Sequence, residues 1–302
     1  MKHLLKLLDL STEEITEILN LADQLKYEQK HGIEHHHLKG KTLGMIFAKA
    51  STRTRVSFET GMYQLGGYPM YLSANDMQIG RGEPIQDTAR VLSRYLDGIM
   101  IRTFEQKQVE DLAEYGSIPI INALTDFAHP CQVLADLMTI RERLGSLEGR
   151  KLCFVGDGGS MANSLIVGGL LAGMQVCCVC PPGYRPAADV ILFAQQYPSF
   201  QLLTDPVQGL RDADAAVTAA WSCAPGTEES ERRRRDFAGY QLTDALLQNA
   251  KPACLVLHSL PAHRGEEISA AVFEQHAGEI FDEAENRLHV QKAILSILLA
   301  DR

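Results

Sequence analysis

Short apolar runs recur along the chain, and the stretches between them carry the three-to-four-residue period of helices. Runs at 42–47, 98–101, 118–121, 152–155, 176–179, 215–218 and 254–257 read as strands. Their alternation with helical segments predicts an α/β fold of parallel sheets wrapped by helices. The stretch LSTEEITEILNLA from Leu10 starts a helix, with Ser11 as N-cap and Glu14 three residues on, a capping box that feeds an apolar stripe. Pro130 suits the first turn of a helix over 130–144, which runs into GSLEGRK before a new strand begins. A last helix over 285–299 has a long apolar face and no sheet of its own, so it is expected to pack back on the first domain. No internal repeat or low-complexity tract interrupts the pattern.

Length turns this pattern into two domains. A chain of 302 residues exceeds what one core usually serves, and an apolar content of 45% is enough to fill two. We place the domains at 1–135 and 136–284, with 285–302 as the returning helix. The formal charge of -9 argues against a nucleic-acid or anionic-membrane partner, so any anion site must be local. The seven cysteines are odd in number and lack paired zinc spacing. Without a signal-peptide pattern they read as reduced thiols of a cytoplasmic protein. No run approaches the length of a membrane span.

Candidate chemistry begins at AKASTRTRVSFETG, residues 48–61, directly after the first strand and opening a helix. Backbone N–H groups, the hydroxyls of Ser51, Thr52 and Thr54, and the guanidinium groups of Arg53 and Arg55 can converge there on one anion, which suits a phosphate. Cations at a helix N-terminus are otherwise disfavoured. Arg102 ends another strand of the same sheet, and His129 and Gln132 flank a helix start, at the edge where ligands of open α/β sheets bind. In the second half, ACLVLHSLPAHRGEE leads from a buried strand into a loop with His258, His263 and Arg264. DEAENRLH places Arg287 at the first turn of the last helix.

STRTR, HPCQ, HSLPAHRGEE and DEAENR resemble, in matching order over essentially the whole chain, the signature segments of the ornithine carbamoyltransferase family. The resemblance implies a carbamoyl-phosphate domain followed by an amino-acid domain, each a parallel sheet flanked by helices, with the first and last helices bridging, and assembly as a homotrimer or a multiple of trimers. Carried over by position, it implies that Ser51, Thr52, Arg53 and Thr54 hold phosphate and that Arg102, His129 and Arg287 contact carbamoyl phosphate. Arg102 and His129 polarise its carbonyl, while Gln132, Ser259 and Leu260 receive the carbamoyl NH2 group. Leu260-Pro261 matches the family's cis peptide. Gln78 matches a position through which a neighbouring subunit reaches the phosphate. Such a transfer needs an anchored leaving group, oxyanion donors and a neutral amine, but no metal, cofactor or covalent intermediate.

The amine side departs from the family. Ornithine-specific relatives carry two asparagines where this chain has Gly159-Ser160, an aspartate at Ala219, a Ser-Met-Gly run near Cys223-Ala224-Pro225 and a cysteine at Ser259. Losing the aspartate forfeits a charge-assisted hydrogen bond of ~1.5–3 kcal/mol. The expected acceptor is therefore a small amine other than ornithine, in a pocket formed by Asn122, Ser160, Ala219, Trp221, Cys223 and Ala224. An ordinary ornithine carbamoyltransferase and a non-catalytic carbamoyl-phosphate binder are the alternatives. A dinucleotide site at KLCFVGDGGSMA fails for want of an acid after the next strand. The runs ERRRRD (231–236) and HHH (35–37) read as solvent-facing.

Overall fold

The computed structural model describes residues 1–221 and 227–300. Its chain divides into two compact units, Met1–Ala135 with Asn286–Arg302, and Asp136–Glu285. The first holds β1 (Thr42–Phe47), β2 (Tyr68–Ser73), β3 (Gly98–Arg102) and β4 (Ile120–Leu124), in spatial order β2-β1-β3-β4. All three pairings are parallel. The second holds β5 (Lys151–Val155), β6 (Gln175–Val179), β7 (Phe200–Leu203), β8 (Ala215–Thr218) and β9 (Leu255–His258), ordered β7-β6-β5-β8-β9 and again parallel throughout. Two parallel sheets flanked by helices are thus the fold, as the alternating pattern required.

Seven of these strands coincide with the expected runs to within two or three residues at their ends. The other two, β2 and β7, are sheet edges. Tyr68–Ser73 contains Pro69 and has no buried residue, and Phe200–Leu203 has three half-buried residues and an exposed Gln201, so neither carries a buried strand's apolar signature. The helix Thr12–Lys30 begins as its sequence demands: Ser11 Oγ accepts from Glu14 N–H at 3.2 Å, and Glu14 Oε2 accepts from Ser11 N–H at 3.0 Å. The last helix runs from Ala277 to Leu299, longer than expected. No proline interrupts that stretch and its one glycine, Gly278, lies in the first turn, so Arg287 is mid-helix and not in a first turn.

Within the first unit the C-terminal helix bonds to the N-terminal one. Lys26 Nζ donates to Asn286 Oδ1 at 2.7 Å, and buried Lys292 donates to Gln29 Oε1 at 3.2 Å. Lys292 also stands 3.0 Å from His35 Nε2, while His35 Nδ1 donates to Ile33 O. His35 is therefore buried, contrary to the solvent-facing reading of the triplet, because one ring satisfies both a backbone carbonyl and an interior ammonium. The six described cysteines are free and buried. Among the described residues no helix is long and apolar enough to cross a membrane.

Candidate functional site

In the first unit, the end of β1 leads into the helix Thr52–Gln64, capped by Ser51. Ser51 Oγ accepts from Thr54 N–H at 3.3 Å and donates to Thr54 Oγ1 at 3.1 Å. Thr54 Oγ1 in turn accepts from Arg287 Nη2 at 2.8 Å. This first turn carries no acid, so its dipole and its arginine face no internal counter-ion there. Arg53 and Arg55 diverge. Two residues apart on a helix, they point to different faces. Arg55 pairs with Glu59 at 2.9 Å and lies over the Tyr71 ring, leaving Arg53 alone to serve the expected anion.

Arg102 lies close enough to Arg53 and Arg287 to be repelled by both. Burial, then the charges of Arg287 and Arg53, pull the Arg102 pKa down to about 10. Burial alone lowers that of Arg53. Both Nε atoms are buried without a hydrogen-bond partner among the described residues. Such a cluster is stable only because guanidinium hardly deprotonates, and a bound anion removes its strain. His129, just before the helix Pro130–Leu144, is held well below the usual imidazole range by burial and by Arg287 and Arg102. It is neutral at physiological pH, able to donate one hydrogen bond without adding a fourth charge. Gln132 is buried one turn on, while Gln78 opens a short 3-10 helix elsewhere in the unit. Asn122, in β4, donates to Leu5 O at 2.8 Å and to Gln106 Oε1 at 3.2 Å, while its buried Oδ1 has no hydrogen-bond partner among the described residues.

The second unit carries the remaining candidates at the carboxyl ends of its strands. Ser160 is the first residue of the helix Ser160–Leu171, reached through Gly158 and Gly159 after β5. Ala219 is half-buried just past β8, and buried Trp221 stacks on Phe237 with ring centroids 4.7 Å apart. Cys223 and Ala224 lie outside the described residues. Past β9, His258 Nδ1 accepts from Leu260 N–H at 2.8 Å, so its Nε2 carries the proton given to Glu267 Oε1 at 2.9 Å. That clamp holds Leu260 at φ 51, before the cis bond to Pro261, and presents Ser259 half-buried.

Two contributors escaped the sequence reading. Arg233, inside the supposedly solvated ERRRRD run, turns inward to Asp157 at 2.6 Å and to Trp221 O at 3.1 Å. Glu267 anchors the turn after β9 from a fully buried position. The position of Arg233 within the helix Glu228–Asp236, four residues after Glu229 and three after Ser230, was the only available hint.

Comparison with known proteins places the chain in one family. Residues 2–142 match the family model described as aspartate/ornithine carbamoyltransferase, carbamoyl-P binding domain, and residues 148–298 match its Asp/Orn binding domain. The chain belongs to the aspartate/ornithine carbamoyltransferase family. It is 52% identical to the ornithine carbamoyltransferase of Carboxydothermus hydrogenoformans, over 99% of this chain and 97% of that one. The solved ornithine carbamoyltransferase of Pyrococcus furiosus superposes with a TM-score of 0.95 at 47% identity, covering 100% of this chain and 98% of that one. The anabolic ornithine carbamoyltransferase of Campylobacter jejuni gives 0.93 at 38% identity, with full coverage of both chains. The chain is a carbamoyltransferase of the ornithine carbamoyltransferase type.

Proposed function

We propose that this carbamoyltransferase binds carbamoyl phosphate in its first unit and an amine acceptor in its second, and releases phosphate. The observation that carries this reading is the cluster of three guanidinium groups around a helix N-terminus that lacks an acid. Ser51, Thr52, Arg53 and Thr54 bind the phosphate, whose charge offsets both the helix dipole and the mutual repulsion of the arginines. Arg102 and neutral His129 donate to the carbonyl oxygen, with Arg287 beside them, so negative charge that develops there as the amine attacks meets donors already in place. Gln132 and the Ser259–Leu260 segment accept from the carbamoyl NH2 group. The bond between carbonyl carbon and phosphate oxygen breaks, phosphate leaves, and the attacking nitrogen loses a proton. An unbound primary amine with a pKa near 10.4 is mostly protonated at neutral pH, so the rate rises with pH as the free base becomes available.

Ornithine is the acceptor that the relatives support, since chains about half identical to this one carry that name. A second reading rests on the residues themselves. Ala219, Ser160 and Ser259 offer no charge to an α-ammonium or α-carboxylate, and the carboxylate of Asp157, after the neighbouring strand, is tied to Arg233. Citrulline formation from carbamoyl phosphate and ornithine separates the two. Saturation at submillimolar ornithine supports the first reading. Phosphate release with other amines but not with ornithine supports the second, and silence with every amine would leave a binding protein. The reduced, buried thiols fit a cytoplasmic location. Assembly as a trimer is supported by the apolar edge formed by β2 and the neighbouring helix, where Val56, Tyr63, Tyr68, Met70 and Tyr71 are exposed.

A further inference from the structure

Glu267 is a carboxylate with no access to solvent, and its two oxygens are treated unequally. Oε1 accepts twice, from His258 Nε2 at 2.9 Å and from His263 N–H at 2.6 Å. Oε2 is buried with no hydrogen-bond partner among the described residues. A carboxylate oxygen left so is costlier than a neutral polar atom in the same place unless a cation answers it. The groups beside it are those that ligate metals. His263 Nδ1 stands 3.9 Å from Glu267 Oε2 and 3.9 Å from Glu266 Oε2, and one donor atom from each of the three side chains lies within 4.8 Å of the other two.

We propose that His263, Glu266 and Glu267 bind one divalent first-row cation of the Mn2+ or Zn2+ kind. Two carboxylates and one imidazole form a donor set suited to such ions, with ligand bonds of about 2.0–2.2 Å. Neighbouring donors around such an ion stand about 3.0–3.5 Å apart, so the triad, with pairs at 3.9 Å and none beyond 4.8 Å, contracts by about half to one ångström on binding. The half-exposed ring of His263 supplies that movement and the route of entry. Glu266 is already aimed, since its other oxygen accepts from Arg234 Nη2 at 3.1 Å. Arg234 thereby acts as an outer-shell partner that fixes the ligand's orientation.

The site is wired to the turn that carries Ser259. The same Glu267 that takes the ion through Oε2 holds His258 through Oε1, and His258 holds the backbone of Leu260. Occupancy therefore stiffens the turn that presents Ser259, and releasing the ion loosens it.

Electron paramagnetic resonance of MnCl2 titrated into the chelator-treated full chain tests the proposal, because Mn2+ prefers oxygen and nitrogen donors to the chain's thiols. The expected result is about one Mn2+ bound per chain, weakened at least about tenfold in Glu266→Gln and in His263→Gln. Both residues reach solvent, so both variants are expected to fold, as circular dichroism will verify. Absence of binding up to about 1 mM Mn2+, or binding that neither substitution changes, overturns the site. Since the readout is occupancy and not turnover, the result stands whichever amine the enzyme accepts.

Discussion

Arg102 holds its charge in a place that repels it. Burial and two neighbouring guanidinium groups lower its pKa to about 10, and only an anion relieves both. Replacing it by alanine removes a donor from the reacting carbonyl while relaxing Arg53 and Arg287. Turnover in Arg102→Ala is therefore expected to fall by about 10^2–10^3-fold, with no loss of thermal stability. A large drop in melting temperature alongside lost activity would instead make Arg102 a structural residue. Lys292 carries the opposite lesson. Its pKa is lowered to about 8 by burial, against an ordinary value of 10.5, so the unfolded chain binds more protons between those limits. Stability from this group thus rises as pH climbs from about 8 towards 10.5. Urea unfolding of wild type and Lys292→Met will show it: the methionine variant's advantage is largest near neutral pH and shrinks through that window. A difference that is flat with pH would mean the lysine is not desolvated.

Elements differ in how much of themselves they write into sequence. Gly158 is legible only afterwards: a Cβ there would meet Arg185 C at 2.3 Å and Pro186 N at 2.4 Å, both backbone atoms that cannot step aside. Gly158→Ala is expected to cost about 3 kcal/mol and to displace the turn before Ser160, readable as a lower urea midpoint and weaker amine saturation. The buried strands and the Ser11 cap announced themselves because a strand covered on both faces must be apolar and an orphaned helix N–H must find an oxygen. The edges β2 and β7 did not, since a strand with one wet side loses that signature. In the site, Ser51 to Thr54, Arg102, His129, Gln132 and Arg287 came from motifs, and their convergence in one unit follows from placing them at strand ends and a returning helix. Arg233 and Glu267 were opaque. Arg233 meets Asp157, 76 positions away, and Glu267 meets His258, nine positions away across an irregular loop, so no local period encodes either meeting. His35 failed for the same reason, its partner Lys292 lying 257 positions away.

At the scale of the whole molecule the question is what covers β2. An edge strand with Tyr68, Met70 and Tyr71 exposed, next to Val56 and Tyr63 on the helix Thr52–Gln64, leaves both backbone donors and apolar area open. Monomers rarely tolerate such an edge, because it recruits other chains. The patch also adjoins the phosphate site in sequence: Arg53 and Val56 share one helix, and Arg55 stacks on Tyr71. A ring that closes on this face, each copy meeting the next through unlike surfaces, satisfies the edge without growing into fibres. Multi-angle light scattering of the wild type is then expected to give three chains or a multiple of three. Tyr63→Glu combined with Tyr68→Glu is expected to shift the mass towards single chains, since like charges from an acidic molecule would be forced into a desolvated contact. If the neighbour also supplies a phosphate contact through Gln78, the dissociated variant will lose affinity for carbamoyl phosphate although none of its own phosphate-binding residues has changed, and Gln78→Ala will lose affinity while remaining assembled. A wild type that is monomeric at micromolar concentration, yet fully active, would refute the assembly and with it any role for Gln78 across chains.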